Sequence, residues 1–168
     1  MTTSVSPLMA AEQLVAYKRI STNQYQNFIK NWDDKNHPLL VASIETAAHY
    51  NAVFHPAPVI GGKKAFAPDA TLYEKEQILV IARVMKNPEN MDKVFVVTEV
   101  SANLDELTIR YQFDEPKNHA TSEVKNFLAL QIPKISYAKV TIYENDKMVA
   151  VLKPSEKLWS IPEVKAEP

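Results

Sequence analysis

The sequence of 168 residues contains no cysteine and only two glycines, Gly61 and Gly62, which are adjacent. The lack of cysteine excludes disulfides, thiol nucleophiles and every zinc or iron–sulfur site built on thiolates. Walker loops, dinucleotide-binding fingerprints and nucleophile elbows each need glycines at set spacings, because the backbone there approaches a phosphate or turns sharply. Two adjacent glycines supply none of these spacings, so the sequence contains none of these motifs.

A charge excess and a long apolar run are also missing. Nineteen Lys and Arg residues stand against twenty Asp and Glu residues, which leaves a formal net charge of −1. Proteins that bind phosphate backbones normally carry a basic excess, so we expect no nucleic-acid partner. No stretch approaches the ~20 apolar residues that cross a bilayer, so we expect no membrane span.

The N-terminal segment, MTTSVSPLMAAEQ, has neither a basic region nor a continuous apolar region, so it is not a signal peptide as it stands. A chain whose signal had been removed would look the same. The avoidance of cysteine fits an exported bacterial protein, periplasmic or secreted, and a cytoplasmic location is the alternative.

The length corresponds to one domain with extensions. We predict a flexible leader at 1–12, a single domain at 13–152 and a proline-containing tail at 153–168. In the tail, Trp159 is a large apolar residue that could anchor the segment.

Two short helices are predicted before most of the strands. In the segment 21–32, Ser21 and Gln24 have the spacing of a capping box. The apolar residues that follow share one helical face; they are Tyr25, Phe28, Ile29 and Trp32. A second helix is predicted at 43–54, with Ser43 as its N-cap and prolines after its end.

After residue 74 the hydrophobic pattern is typical of strands. The continuous apolar runs at 77–84 and 93–100 indicate strands buried on both faces, whereas 105–113 alternates and should form a hairpin with 93–100. Further strands are predicted at 39–43, 126–132, 137–143 and 148–152, the last two joined by a tight turn at Asn145-Asp146. The predicted fold is α+β, with two short N-terminal helices packed on a mostly antiparallel sheet of about five to seven strands in meander order.

The segment Gly61-Gly62-Lys63-Lys64 is a candidate anion-binding site. Successive glycine amides can form a concave donor site, and the two lysines add positive charge. The simpler interpretation, which we favour, is a turn that needs a positive φ angle.

A metal site could use Glu45, His49 and His55. Glu45 and His49 are four residues apart and would share a face of the second predicted helix, and a divalent ion such as zinc accepts these ligands. The alternative is a solvent-facing polar pair. No catalytic motif is present, so we predict no enzymatic activity and no cofactor.

Read in order, several segments resemble the PrcB protease-complex-subunit family over about 39–152. LVASIETAAHYNAVF is similar to the short strand and helix of that family, with Tyr50 where a tryptophan would be. DATLYEKEQILVIARV resembles the next strand, and VFVVTEVSANLDELTIRYQFDEP resembles a hairpin that ends at Pro116. LALQIPKISYAKVTIYENDKMVAVL resembles the final strand pair, with Pro133 and Tyr137. The family's glycine-rich T-G-G-Y is absent, and KNPENMDKVF stands in its place.

The resemblance implies a non-catalytic, protein-binding role outside the cytosol, as a protease-associated or inhibitor-like module. Two alternatives remain open. One is a small metal-binding protein or metal-dependent enzyme that uses Glu45, His49 and His55. The other is a structural subunit that assembles through strand edges or through the tail that carries Trp159. The identity of the partner and the oligomeric state are left open.

Overall fold

The structure is a computed structural model, which describes residues 13–20, 27–29, 32, 35, 38–56, 69–86, 88–90, 93–116, 123–135, 137–153 and 159–160. The strands are β1 Gln13–Leu14, β2 Lys18–Ile20, β3 Asn27–Ile29, β4 Leu39–Ile44, β5 Phe54–Pro56, β6 Glu76–Lys86, β7 Phe95–Asn103, β8 Glu106–Phe113, β9 Glu123–Pro133, β10 Lys139–Glu144, β11 Lys147–Leu152 and β12 Trp159–Ser160. Helix α1 spans Ala47–Val53, and a short 3₁₀ helix spans Ala70–Glu74.

The strands form two main sheets. The first sheet has the order β1-β7-β8-β10-β11, and its neighbouring strands are antiparallel except for the parallel pair β8 and β10. The second sheet has the order β12-β4-β6-β9-β2 and is antiparallel throughout. Strands β3 and β5 form a separate antiparallel pair.

The two sheets pack face to face around one hydrophobic core. Alternate residues of β4, β6 and β9 contribute the second sheet's half, and β7, β8, β10 and β11 contribute the other half. Buried residues of this core include Leu79, Ile81, Leu130, Ile109 and Ile142. The result is a β-sandwich.

A second core lies on the opposite face of the second sheet. There, Ile78 and Val80 of β6 pack in one cluster with Tyr50 of α1, Phe54 of β5 and Tyr73 of the 3₁₀ helix. The central strands of this sheet are therefore covered on both faces. This confirms the prediction for 77–84, because a strand between two cores must be apolar at successive positions.

The predicted fold class is wrong. The described residues form a mostly β structure with one α-helix, two main sheets and the separate pair of β3 and β5, not two N-terminal helices on a single sheet. Where a helix was predicted over 21–32, residues Asn27–Ile29 form β3 and pair with β5. A helix of that length is only marginally stable alone, so pairing with a distant strand can override its apolar spacing. The proposed cap, Ser21 and Gln24, lies outside the described residues.

The second predicted helix exists but is shorter. Its N-cap is Thr46, whose Oγ1 accepts a hydrogen bond from the His49 N–H at 3.0 Å, and not Ser43. Ser43 belongs to β4, where it is buried and where Gln77 Nε2 donates to its Oγ at 3.2 Å. The strand therefore continues to Ile44 before the helix begins.

Both predicted hairpins are confirmed, but the meander order is wrong. Strands β7 and β8 pair up to Asn103 and Glu106, and β10 and β11 meet at a turn where Asn145 and Asp146 have φ angles of 51° and 66°. Between these hairpins the chain crosses to the second sheet to form β9, so β8 and β10 become parallel neighbours. Strand β7 alternates in burial and is not covered on both faces, which corrects the prediction for 93–100.

Polar contacts hold the chain where it crosses from β9 back to the first sheet. The Lys134 N–H donates to the Lys75 carbonyl at 2.8 Å, and Lys134 Nζ donates to the carbonyls of Tyr73 at 2.8 Å and Glu45 at 3.1 Å. The Ile135 N–H donates to Gln77 Oε1 at 3.2 Å. These bonds hold the crossing against α1 and the 3₁₀ helix, which together with β5 form the helical layer that covers the second sheet.

The hairpin turn between β7 and β8 contains a strained position. Leu104 has a φ angle of 57°, in the region that glycine favours at the first residue of a two-residue turn. We expect Leu104→Gly to stabilise the protein by about 0.5–1 kcal/mol. A residue with a Cβ atom pays about 1–2 kcal/mol for a positive φ angle, which glycine avoids. Part of this gain is cancelled because glycine raises the conformational entropy of the unfolded chain. Urea unfolding measures the change, and Leu104→Ala, which keeps the Cβ atom, is the control. A loss of stability for the glycine variant would contradict the prediction.

Candidate functional site

Two of the predicted metal ligands lie at the start of α1. The Glu45 N–H donates to His49 Nδ1 at 3.2 Å, and the His49 N–H donates to the capping hydroxyl of Thr46. The bond from Glu45 uses the lone pair of Nδ1, so only Nε2 of the ring is left for a further partner. The His49 ring is thus part of the turn that begins the helix.

The remaining candidate residues lie outside what the structure describes. His55 belongs to β5, but its side chain is not among the described ones, and neither are Gly61, Gly62, Lys63 and Lys64. Over the described ranges, no group of three His, Asp or Glu side chains could hold a metal ion. The metal site and the anion site both stay predictions.

Ionisable side chains converge between the two sheets instead. Arg83 of β6 donates from Nε and Nη2 to the two carboxylate oxygens of Glu144 of β10, each at 2.7 Å. Tyr111 of β8 donates from its hydroxyl to Glu144 Oε2, also at 2.7 Å. The Arg83 and Glu144 side chains are only 20% and 11% exposed. This paired geometry joins the second sheet to the first.

The chemistry of this cluster is that of a cross-link. Burial, and then the negative charge of Glu144, raise the pKa of Tyr111, so its hydroxyl stays a neutral donor. The Arg83 guanidinium also lies 5.2 Å from the centre of the Phe113 ring. Both oxygens of Glu144 and the phenol hydroxyl are used within the cluster, which suits it to holding the sheets together rather than to moving protons.

Sequence reasoning missed this cluster, although one signal was present. Arg83 is the only charged residue in the apolar run 77–84. A charge within a strand buried on both faces requires a partner, since an unpaired buried charge is strongly unfavourable. The run itself does not say that the partner is Glu144, because the two residues are 61 positions apart.

A shallow, open groove of about 310 Å³ lies beside the start of β7 and the end of β8. Two of its lining residues are joined by a backbone hydrogen bond, which the Asp114 N–H donates to the Val94 carbonyl at 3.0 Å. Its charged lining residues Glu89, Lys93 and Asp114 are exposed and of mixed sign. Small-molecule sites are usually concave and largely apolar, so this groove is a weak candidate for one.

The outer face of the first sheet, which points away from the second sheet, is uncovered by any described helix or strand. Apolar side chains are exposed there, with Val96, Met148 and Val151 at 52%, 56% and 39%. Near its middle, the Arg110 guanidinium lies 3.9 Å from the centre of the Tyr143 ring. This face combines apolar, aromatic and charged groups, as protein-binding surfaces often do.

Among the described strands, β11 is the last one on one side of this sheet. It pairs with β10 on one side, and on the other side no strand among the described residues pairs with it. Lys147 is the first residue of β11 and Lys153 directly follows its last, and both side chains are exposed. Within the described part of the chain neither lysine forms an ion pair.

The fold and these surfaces define a mostly β, cysteine-free sandwich with a helical layer on one side and, on the other, a sheet face that no described element covers. Among the residues described, no helix combines the length and hydropathy that crossing a bilayer requires. The chain matches no protein-family model, no curated protein and no solved structure. The resemblance to the PrcB family therefore stays a prediction.

Proposed function

We propose that this chain is a non-catalytic protein-binding module that recognises an extended segment of its partner at β11. The observation that carries the proposal is the edge of β11, which no described strand covers. An exposed edge presents backbone donors and acceptors, and a partner segment can add to it as a further strand. Met148 and Val151 beside this edge offer apolar contacts to the same segment.

The charges at β11 support a different protein as the partner, rather than a second copy. In a two-fold antiparallel pairing centred on Ala150, Lys147 of each copy would stand opposite Lys153 of the other. Like charges directly opposite each other destabilise strand pairing, and lysines on edges commonly prevent self-association. A segment that carries Asp or Glu at these positions gains attraction instead. The proposed ligand is therefore an extended, acidic protein segment.

Where the module acts, and with which class of partner, is inferred from the resemblance to the PrcB family alone. If the likeness over 39–152 reflects kinship, the module acts outside the cytosol, associated with a protease or resembling an inhibitor. The β11 proposal does not depend on that setting.

The charge of the edge gives the decisive experiment. The chain of 168 residues is immobilised and used to capture partners from a native extract at low and high salt. We expect Lys147→Glu/Lys153→Glu to retain about tenfold less partner. Each substitution removes one exposed attraction and adds a repulsion, and together they weaken the binding free energy by about 1.4 kcal/mol. Capture by the wild-type chain should also fall as salt rises.

The matched control is Lys86→Glu/Lys93→Glu, which makes the same charge change at two exposed lysines away from β11. Thermal unfolding verifies that both variants are folded. If both double variants lose the partner equally, or both keep it fully, β11 is not the recognition edge.

A further inference from the structure

The turn that joins β7 to β8, formed by Leu104 and Asp105, presents an apolar side chain to solvent. Leu104 is 80% exposed, and its φ angle is 57°. The hairpin lies within the described range 93–116, which has no gap. A leucine this exposed gains almost nothing from burial in the fold, and its Cβ atom opposes the positive φ angle. Leucine is therefore unfavourable for folding at this position on both counts.

The structure around the turn nevertheless holds Leu104 in place. The strand pairing ends at Asn103 and Glu106, directly beside the turn, and the Ala138 N–H donates to the Asp105 carbonyl at 2.9 Å. Unfavourable backbone angles that the surroundings enforce are found at binding surfaces. A side chain on a fixed backbone also loses less conformational entropy on binding than one on a mobile loop.

A second exposed apolar side chain lies at the same end of the sandwich. Ile135 is exposed, and the Tyr137 N–H donates to its carbonyl at 2.8 Å, so the chain bends there just before Ala138. Because Ala138 bonds to Asp105, the bend stands beside the β7–β8 turn. Leu104 and Ile135 thus offer apolar area at one end of the molecule.

The charges beside Leu104 are mostly negative. Asp105 and Glu106 are exposed, and within the described ranges neither forms an ion pair. Lys139 stands opposite Glu106 in the neighbouring strand but is only half-exposed. Anionic membrane surfaces attract basic segments and repel acidic ones, so a lipid surface does not suit this turn. A protein surface with basic residues around an apolar pocket complements both its charge and its leucine.

We propose that the β7–β8 turn is a second interaction surface, at which Leu104 inserts into an apolar pocket of a partner protein, and that Lys or Arg residues border this pocket. Asp105 and Glu106 face those basic residues. The surface is at the hairpin end of the first sheet, so it does not depend on recognition at β11.

A photoreactive side chain at position 104 tests the proposal. A diazirine analogue of leucine replaces Leu104 in the chain of 168 residues, and a matched chain carries it at Val96, which is exposed at the start of β7. Both chains are irradiated in a native extract, and mass spectrometry identifies the cross-linked peptides. We expect a protein to be cross-linked at position 104 at least about tenfold more than at position 96, at apolar residues with Lys or Arg beside them.

Competition with unlabelled variants tests the chemistry of the contact. Excess wild-type chain should suppress the cross-link, whereas about tenfold or more Leu104→Gly should be needed for the same effect, because it lacks the buried leucine. Leu104→Gly is expected to be at least as stable as the wild type, so unfolding does not explain a loss. Asp105→Lys/Glu106→Lys, verified as folded by thermal unfolding, should also compete poorly. The control Val96→Ala should compete as the wild type does.

Several results would overturn the proposal. One is a cross-link at position 104 no stronger than at position 96, and another is a cross-link formed mainly to lipid or to a second copy of this chain. Equal competition by Leu104→Gly and the wild type would show that the leucine is not the anchor. Equal competition by Asp105→Lys/Glu106→Lys would show that the pocket has no basic border.

Discussion

Replacing Glu144 with alanine is expected to destabilise the protein by about 2–4 kcal/mol, which is a large part of the stability of an ordinary domain. The substitution leaves the Arg83 guanidinium without the two hydrogen bonds that it donates to the carboxylate, and the Tyr111 hydroxyl without its acceptor. Breaking a buried pair by removing one partner is more harmful than removing both. The expected loss of stability is smaller than for a fully buried ion pair because the Arg83 side chain is 20% exposed.

Urea unfolding of the wild type and of two variants measures this effect. The second variant, Arg83→Met/Glu144→Met/Tyr111→Phe, removes every polar group of the cluster and should cost less than Glu144→Ala, about 1.5 kcal/mol or less. If the triple variant is the less stable of the two, the cluster stabilises the protein through the packing of its side chains and not through the pairing of its charges.

Replacing Phe54 with alanine is expected to cost about 3–5 kcal/mol. Phe54 is fully buried, and its ring lies 5.1 Å from the rings of both Tyr50 and Phe127, measured between ring centres. These contacts connect α1, β5 and β9, so the resulting cavity would loosen the layer that covers the second sheet. The expected result is a lower midpoint in urea, together with loss of helical signal before the main unfolding transition.

The control for this prediction is Met148→Ala, which truncates a side chain that is 56% exposed and should change stability by less than about 0.5 kcal/mol. Equal stability of Phe54→Ala and the wild type would mean that the layer does not pack on the second sheet as described.

The strands of the C-terminal half were predictable because their signals are local. A run that is apolar at several successive positions indicates a strand between two cores, as β6 is. The Asn145-Asp146 pair fits a turn that needs two positive φ angles, and the structure has both. By contrast, residues 27–29 carry apolar spacing compatible with a helix and form β3 instead, because the pairing with β5 is long-range.

The site was less predictable than the strands. The sequence drew attention to His49 because of its spacing from Glu45, and the structure uses its Nδ1 to accept a bond from the Glu45 backbone. The pairing of Arg83 with Glu144 depends on how two sheets face each other, and no local spacing encodes it. That no described strand pairs with the outer side of β11 follows from strand order, which likewise depends on contacts between distant segments.

From its order of residues alone, this chain excludes thiolate and glycine-loop chemistry, since those sites need residue types that are missing. It also specifies the turns and most strands of its second half, because these depend on neighbours a few positions apart. Only the tertiary structure decides the strand order, the division into two sheets and the partner of Arg83, because each depends on contacts between segments far apart in the sequence. They depend on burying two apolar faces at once, and a short window of sequence holds only one side of each such contact.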